Sequence, residues 1–273
     1  MRSIRLAIAS GSLCAAAFFG VSAVAETPNK AETRAQSGAP RVASLVPGGV
    51  QANGCPRNMA QITTDTHAFC IDRYEASLVE VLPTGGTAPH SPFEPVGNKK
   101  VRAISSKGVT PQGYISALEA KAACELSGKR LCAVEEWTRA CMGKNPTKYP
   151  YGDDEQPGRC NGDGTRGHPV VELFQTAIQG GADPFKDFAM MNDPRINQLP
   201  GTLSRTGAKE RCKSTWGVYD MVGNLHEWTA NPNGEFRGGY YMDTHKNGDG
   251  CNYRTTAHVT SYRDYSTGFR CCK

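Results

Sequence analysis

The chain is 273 residues long, with 31 basic and 26 acidic side chains and eleven cysteines. That balance gives a formal net charge of +5, too small and too scattered along the sequence to indicate a nucleic-acid partner. Beyond Val24 no apolar run of membrane-spanning length follows, so no membrane span is expected in the mature chain.

Arg2 and Arg5 precede an apolar run from Leu6 through Val24, which closes with Ala-Val-Ala at Ala25. This is the layout of a cleavable secretory signal peptide over residues 1–25. A membrane anchor is the competing reading, and the Ala, Gly and Ser content of the run argues against it. Cys14 follows Leu13, a poor match to a lipoprotein cleavage site. Cleavage after Ala25 leaves 29 basic residues against 26 acidic ones and an even ten cysteines. An even count in an exported chain reads as a disulfide framework, because compartments outside the cytoplasm are oxidising. Buried thiols or metal ligands are the other use of such cysteines, but no C-x-x-C spacing is present. The expected location is the periplasm or the extracellular space.

Residues 26–53 carry polar, Gly, Pro and Ala residues without a period and read as a flexible leader. A single folded domain is expected over residues 54–273, without internal repeats. Ser116-Ala-Leu-Glu119 is a capping-box pattern, and Leu118, Ala122 and Leu126 follow at fourfold spacing before Gly128. They predict a helix over 116–127 with those three residues as its apolar face. A second helix is predicted over 133–142, with Val134, Trp137 and Cys141 inward and Gly143 as its stop. Elsewhere short runs alternate with Gly, Pro, Asn and Asp, including Asn-Gly-Asp-Gly at 161–164 and 247–250, which read as turns. Little long regular structure is expected in the C-terminal half.

Four segments stand in a recognisable order: Phe69-Cys-Ile-Asp-Arg-Tyr-Glu75, Lys129-Arg-Leu-Cys-Ala-Val-Glu-Glu-Trp137, Tyr149-Pro-Tyr-Gly152 and Gly217-Val-Tyr-Asp-Met-Val-Gly-Asn-Leu-His-Glu-Trp228. Arg237-Gly-Gly239 and Gly268-Phe-Arg270 complete the series. Over residues 67–272 the set resembles the formylglycine-generating enzyme (sulfatase-modifying factor) family. The resemblance implies an irregular α+β fold related to C-type lectin domains, low in regular secondary structure and braced by disulfides and calcium. The family usually has Pro-Thr where this chain has Cys132-Ala133, so the second helix lacks a hydroxyl cap, a loss of about 1 kcal/mol.

In the family a cysteine of the first helix pairs with the one after Gly-Phe-Arg. A cysteine ending the second helix pairs with one about twenty residues earlier than that. The resemblance therefore implies Cys124 with Cys271 and Cys141 with Cys251. It leaves six cysteines open, and of the pairings available we favour Cys55 with Cys70, Cys160 with Cys212 and Cys132 with Cys272. The last rests on Cys132 and Cys272 each neighbouring an assigned pair or its helix.

Asp220 and Glu227 lie seven residues apart around Gly223-Asn224. Calcium takes six to eight oxygen ligands, and a tight turn between two carboxylates supplies carbonyls as well. By themselves these are two loop carboxylates. The resemblance implies calcium held by the Asp220 and Glu227 side chains and the Gly223 and Leu225 carbonyls. Asn161 falls at one ligand of a further family calcium site, whose other ligands are obscured by an insertion from about 165 to 200.

The family's formylglycine-forming members hold copper between two cysteines shortly after Arg-Gly-Gly, where soft thiolates suit Cu(I). Here Asp243 falls at the first of these positions, and Cys251 has the spacing of the structural cysteine. Tyr240 replaces the usual serine and His226 the usual tryptophan. No formylglycine synthesis is expected. Asp243, His245, His226 and His258 are the candidate catalytic residues if the loops bring them together as a nitrogen and oxygen site for a transition metal. Scattered loop residues of this kind are more often bonded locally. A divergent periplasmic oxidoreductase, similar to the pyoverdine-maturation type, is then one functional reading. The other is a calcium-braced scaffold for a small molecule, a glycan or a protein. Tyr240, Tyr241, Tyr253, Tyr262 and Tyr265 with Arg254 and Arg263 would supply the anchors, unless the tyrosines are core.

Overall fold

A computed structural model describes residues 54–162, 164 and 166–273. The signal-peptide and leader readings lie outside the described residues. In β1 (Met59–Thr63) the residues Met59, Ala60 and Ile62 turn inward, and β1 pairs antiparallel with β2 (Ala68–Asp72). β3 (Ala76–Val81), β4 (Thr87–Pro89) and β5 (Val101–Ser105) form a separate antiparallel sheet in the order β4-β3-β5. Helix α1 (Ala117–Leu126), strand β6 (Arg130–Leu131) and helix α2 (Val134–Met142) follow.

The insertion folds into three short helices, α3 (Pro169–Leu173), α4 (Gln175–Gln179) and α5 (Phe188–Met191). Its Val170 and Ile196 pack with Tyr114, Tyr241 and Tyr265. The rest of the chain contributes β7 (His226–Trp228), β8 (Phe236–Arg237), β9 (Arg254–Thr255), β10 (Thr267–Phe269) and β11 (Cys271–Cys272). They complete a sheet β10-β7-β8-β9, with β10 parallel to β7, and a sheet β1-β2-β11-β6. Among the described residues no strand exceeds six residues, which is the irregular α+β architecture expected.

Both predicted helices form, but α1 is rotated from the predicted face. Ala117, Ala120, Ala123 and Cys124 are buried, whereas Leu118 is 55 % and Leu126 37 % exposed and Ala122 is exposed as well. The small residues let the helix approach β5 and β6 closely, and the Cys124–Cys271 bridge holds it in that rotation. Ser116 closes the expected capping box: its hydroxyl accepts from Glu119 N–H at 3.3 Å, and the Glu119 carboxylate accepts from Ser116 N–H at 2.9 Å.

In α2 Ala133 offers no hydroxyl, yet half of a capping box survives. The Glu136 carboxylate accepts from Ala133 N–H at 2.9 Å and from Arg130 Nη1 and Nη2 at 2.6 Å each. Burial acts upward on the Glu136 pKa, but Arg130 and the helix-start N–H outweigh it and hold the carboxyl below its usual range. Trp137 and Cys141 face inward as predicted, with Val134 half-buried.

Five disulfides brace these elements: Cys55–Cys70, Cys124–Cys271, Cys132–Cys272, Cys141–Cys251 and Cys160–Cys212. The partners coincide with the pairs set out from the sequence, and the bridges take up all ten cysteines of the described residues.

Candidate functional site

The longest run of family-like sequence, residues 217–228, builds a buried polar centre. Asp220, Gly223 and Asn224 adopt positive φ of 56°, 78° and 61°, a left-handed conformation that Asp, Asn and Gly tolerate best. At Gly223 only a hydrogen fits, since a Cβ would lie 2.2 Å from the Asn161 carbonyl oxygen. That carbonyl accepts from Asn224 N–H at 2.7 Å. Asn161 is thus a backbone partner of this turn, and its side-chain amide donates to the Thr202 carbonyl and to Asn224 Oδ1 at 2.9 Å each.

Asp220 accepts from Gly207 N–H at 2.6 Å, and burial pushes its pKa up to about 6. Glu227 is held by Arg270 through Nε and Nη2, both at 2.5 Å, and by Trp137 Nε1 at 2.7 Å. A third carboxylate, Glu75, arrives from the β2–β3 connection. It accepts from Asn224 Nδ2 at 2.6 Å and from Leu225 N–H at 3.2 Å. Burial, joined by the charges of Asp220 and Glu227, raises the Glu75 pKa well above the usual range. Burial disfavours the Arg270 charge, but Glu227 more than compensates and its pKa rises.

Three buried carboxylates thus face one buried guanidinium. The excess negative charge must be balanced by protons or by a cation, since unpaired buried charge is costly. Asp220 and Glu75 offer the hard oxygens that calcium takes, although with Glu227 they do not stand together as a group of three metal-binding side chains. Of the implied ligands, Asp220, Gly223 and Leu225 sit in the left-handed turn. Glu227 has both carboxylate oxygens occupied by Arg270 and Trp137. Glu75 and Arg270 were quoted in the sequence blocks without a role. Their signal was a charged residue embedded among aromatic and apolar neighbours.

The second region lies after Arg237-Gly-Gly239. Tyr240 and Asp243 close a turn through reciprocal backbone hydrogen bonds of 2.9 and 3.0 Å. The Asp243 carboxylate accepts from Tyr253 Oη at 2.9 Å and from the His245 and Lys246 N–H groups at 3.0 Å each. Burial acts upward on its pKa, but these donors hold it below the usual carboxylate range. His226 is buried against Phe236, Tyr240 and Tyr253, with ring centroids 4.5, 4.8 and 5.4 Å away. Burial pulls its pKa down to about 3, so the ring is neutral, and its Nδ1 has no hydrogen-bond partner among the described residues. His258 stacks on Tyr262 at 3.8 Å and on Phe236 at 5.7 Å.

His245 pairs elsewhere. Its Nε2 lies 2.9 Å from Glu155 Oε1 and its Nδ1 3.2 Å from Asp249 Oδ1. Burial opposes its charge, but those two carboxylates raise its pKa. Of the four candidates, then, His226 is near enough to Asp243 and His258 to feel their charges, while His245 belongs to a surface ion pair. Among the described residues no three His, Cys, Asp or Glu side chains stand together as a metal-binding group.

Copper does not fit here. Asp243 is a hard carboxylate already saturated with donors, and Cys251 is covalently tied to Cys141, so the region offers no thiolate pair. Of the proposed recognition residues, Tyr241, Tyr253 and Tyr265 are buried core, and Tyr240 and Tyr262 are half-buried. Arg254 is exposed, and Arg263 lies over Phe188 at 5.5 Å. Tyr240, Tyr241 and Tyr265 pack inward because the insertion covers them with Val170, Ile196 and neighbouring apolar side chains, whereas Tyr262 packs against the cluster around Trp228 and Phe236.

The chain is 29 % identical over 182 residues to the inactive C-alpha-formylglycine-generating enzyme 2 of Bos taurus, covering 62 % of this chain and 52 % of that protein. It is 28 % identical over 179 residues to the protein of the same name from Mus musculus, covering 62 % and 50 %. The chain spans about half the length of the curated relatives it matches. Among solved structures, the Major Tropism Determinant P3c variant aligns with a TM-score of 0.41 and 15 % identity, covering 80 % of this chain and 52 % of that one. CarF aligns with a TM-score of 0.40 and 17 % identity, covering 77 % and 88 %. The model of the sulfatase-modifying factor enzyme 1-like domain matches residues 27–273, a span that takes in the residues read above as leader. The chain belongs to the sulfatase-modifying factor (FGE-sulfatase) family.

Proposed function

We propose that this protein is an exported, calcium-braced member of its family that does not make formylglycine and serves as a binding scaffold for a small molecule, glycan or protein. The observation that carries this reading is that no thiol pair is free after Arg237-Gly-Gly239, where the family's copper thiolates belong. Asp243 stands at the first of those positions, saturated by Tyr253 and two backbone N–H groups. The one cysteine of that segment, Cys251, is the structural cysteine and is locked to Cys141. Without two soft ligands nothing holds Cu(I) against a substrate thiolate. The curated relatives named inactive point the same way. Five disulfides suit the oxidising compartment that a signal peptide over residues 1–25 would lead to. The buried excess of carboxylates supports calcium at Asp220, with Glu75 contributing from the adjoining connection.

The test is a direct assay. Mature protein incubated with copper, oxygen and a peptide carrying Cys-x-Pro-x-Arg leaves the peptide mass unchanged, and conversion of the cysteine at a catalytic rate would refute the proposal. A second reading, a divergent oxidoreductase of the pyoverdine-maturation type, is favoured by His226 alone, with its unpartnered Nδ1 beside Tyr240 and Tyr253. Metal analysis of the purified protein separates the two: calcium without iron or copper supports the scaffold, and stoichiometric iron or copper supports the enzyme.

A further inference from the structure

A cleft of about 460 Å³ lies on the surface between Gly158-Arg159 and Ala208-Lys209-Glu210-Arg211. The Cys160–Cys212 bridge pins its two walls together. Arg159 is fixed in advance. Its guanidinium lies 4.2 Å over the Tyr151 ring, Nε donates to the Arg211 carbonyl at 2.8 Å and Nη1 donates to Gln156 Oε1 at 2.6 Å. From the opposite wall Lys209 Nζ donates to the Gly158 carbonyl at 3.3 Å.

Three of the neighbouring carboxylates are engaged elsewhere, Glu210 of the cleft lining among them, while Asp154 is exposed. Glu210 pairs with Lys107 at 3.0 Å, Asp153 accepts from Lys148 N–H at 3.0 Å, and Glu155 pairs with His245 at 2.9 Å. Among the described residues no ion pair joins Arg159, Lys209 or Arg211 to a carboxylate. Positive charge continues along the same loop and is joined by charge from α2 and the residues just after it. Lys213 lies 5.4 Å over Tyr219, and Arg139 and Lys144 lie 5.6 and 5.4 Å over Trp216. Arg211 and Trp216 are five residues apart, so their Cα atoms lie within about 18 Å of each other.

We propose that this cleft and the loop beyond it bind a linear anionic polysaccharide. Several cations in a row match a polymer that carries charges at regular spacing, whereas a single small anion would use only the cleft. Single-stranded nucleic acid would add bases stacked on open aromatic faces, but Tyr151 has Arg159 over its ring and stacks on Tyr149 at 5.6 Å. A membrane surface would add apolar insertion, and none of the exposed large apolar residues lines the cleft. The inference gives the ligand class for the binding role proposed above. The two can fail separately, because polysaccharide binding is measured without copper or peptide substrate.

The experiment uses the full mature protein, with fluorescein-labelled heparin and labelled hyaluronan in anisotropy titrations over a salt series. They separate sulfate from carboxylate as the anion recognised. Binding to either that weakens steeply with salt is expected, as ion release requires. The double variant K209E/R211E should lower affinity about tenfold or more and flatten the salt dependence. R211Q, at an exposed side chain, should lower it about threefold and guards against a folding defect in the double variant. K100Q/R102Q, at exposed residues in and beside β5, should stay within about twofold of the parent. Unchanged affinity in K209E/R211E and R211Q would overturn the proposal. So would tighter binding of oligo-dT or of anionic vesicles, or full competition by inorganic sulfate at matched sulfate concentration.

Discussion

His226 shows how far a residue's surroundings can redirect its chemistry. In the unfolded chain the imidazole titrates near 6.5, while in the fold burial pulls it down to about 3. Above pH 6.5 the ring is neutral in both states and its contribution to stability is intact. As pH falls from 6.5 towards 3 the unfolded state takes up a proton that the folded state refuses. Stability is then lost at up to about 1.4 kcal/mol per pH unit. His226→Phe keeps an aromatic ring among Phe236, Tyr240 and Tyr253 and removes the titration. Denaturant unfolding at a series of pH values should show a slope smaller by about one proton over that window, and an unchanged slope would show that another group carries it. His168 and His258, also lowered by burial, add to the remaining slope in the same sense, and the raised carboxyls of Asp220 and Glu75 act against it. The sequence marks His226 as a departure from the family's tryptophan, but its neutrality comes from residues up to 27 positions away, Phe236 and Tyr253 among them. Periodicity carries no trace of that. Asp220 was legible because a carboxylate, a glycine and an asparagine in one turn have a chemistry of their own. Glu75 was hidden because its partner Asn224 is 149 positions away.

At the scale of elements, local signals fixed where the helices begin and end, and packing fixed which side they bury. The Ser116 capping box places the start of α1 correctly, because it involves only four consecutive residues. The rotation of α1 depends on β5, β6 and the Cys124–Cys271 bridge, so the leucine stripe that periodicity selects ends up in solvent. In α2 Ala133 already has cap geometry, with φ −62° and ψ 157°, and lacks only the oxygen. Ala133→Ser should therefore stabilise the fold by about 0.5 to 1 kcal/mol. A rise in the urea midpoint at constant m-value measures it. A loss of stability would mean that the Glu136 contact to Ala133 N–H leaves no room for a second acceptor.

For the molecule as a whole, the buried polar centre joins segments that share no local contact. Glu75 precedes β3, the Asp220 turn precedes β7, and Arg270 lies between β10 and β11. A cation there would tie three sheets together, so calcium should act on global stability. At about a hundredfold excess over its Kd, calcium should raise the melting temperature by roughly 5 to 10 °C. EDTA should reverse the rise, and Asp220→Asn should weaken it. A melting curve indifferent to both calcium and EDTA would remove the brace from the proposed function. The family fold was legible from six ordered blocks and the insertion from about 165 to 200 was recognised as one, but not what it covers, because its packing against Tyr114, Tyr241 and Tyr265 is wholly tertiary.

The bridges Cys124–Cys271 and Cys132–Cys272 span 147 and 140 positions. A chain threaded outward from its N-terminal end would expose Cys124, Cys132, Cys141 and Cys160 long before any of their native partners follows. During that interval the four thiols have only each other and earlier cysteines to oxidise with, and each such link is non-native. For the export proposed above, maturation then becomes a problem of timing. The protein must be kept reduced, or its wrong bridges reshuffled by an isomerase, until the strand that ends the fold has arrived.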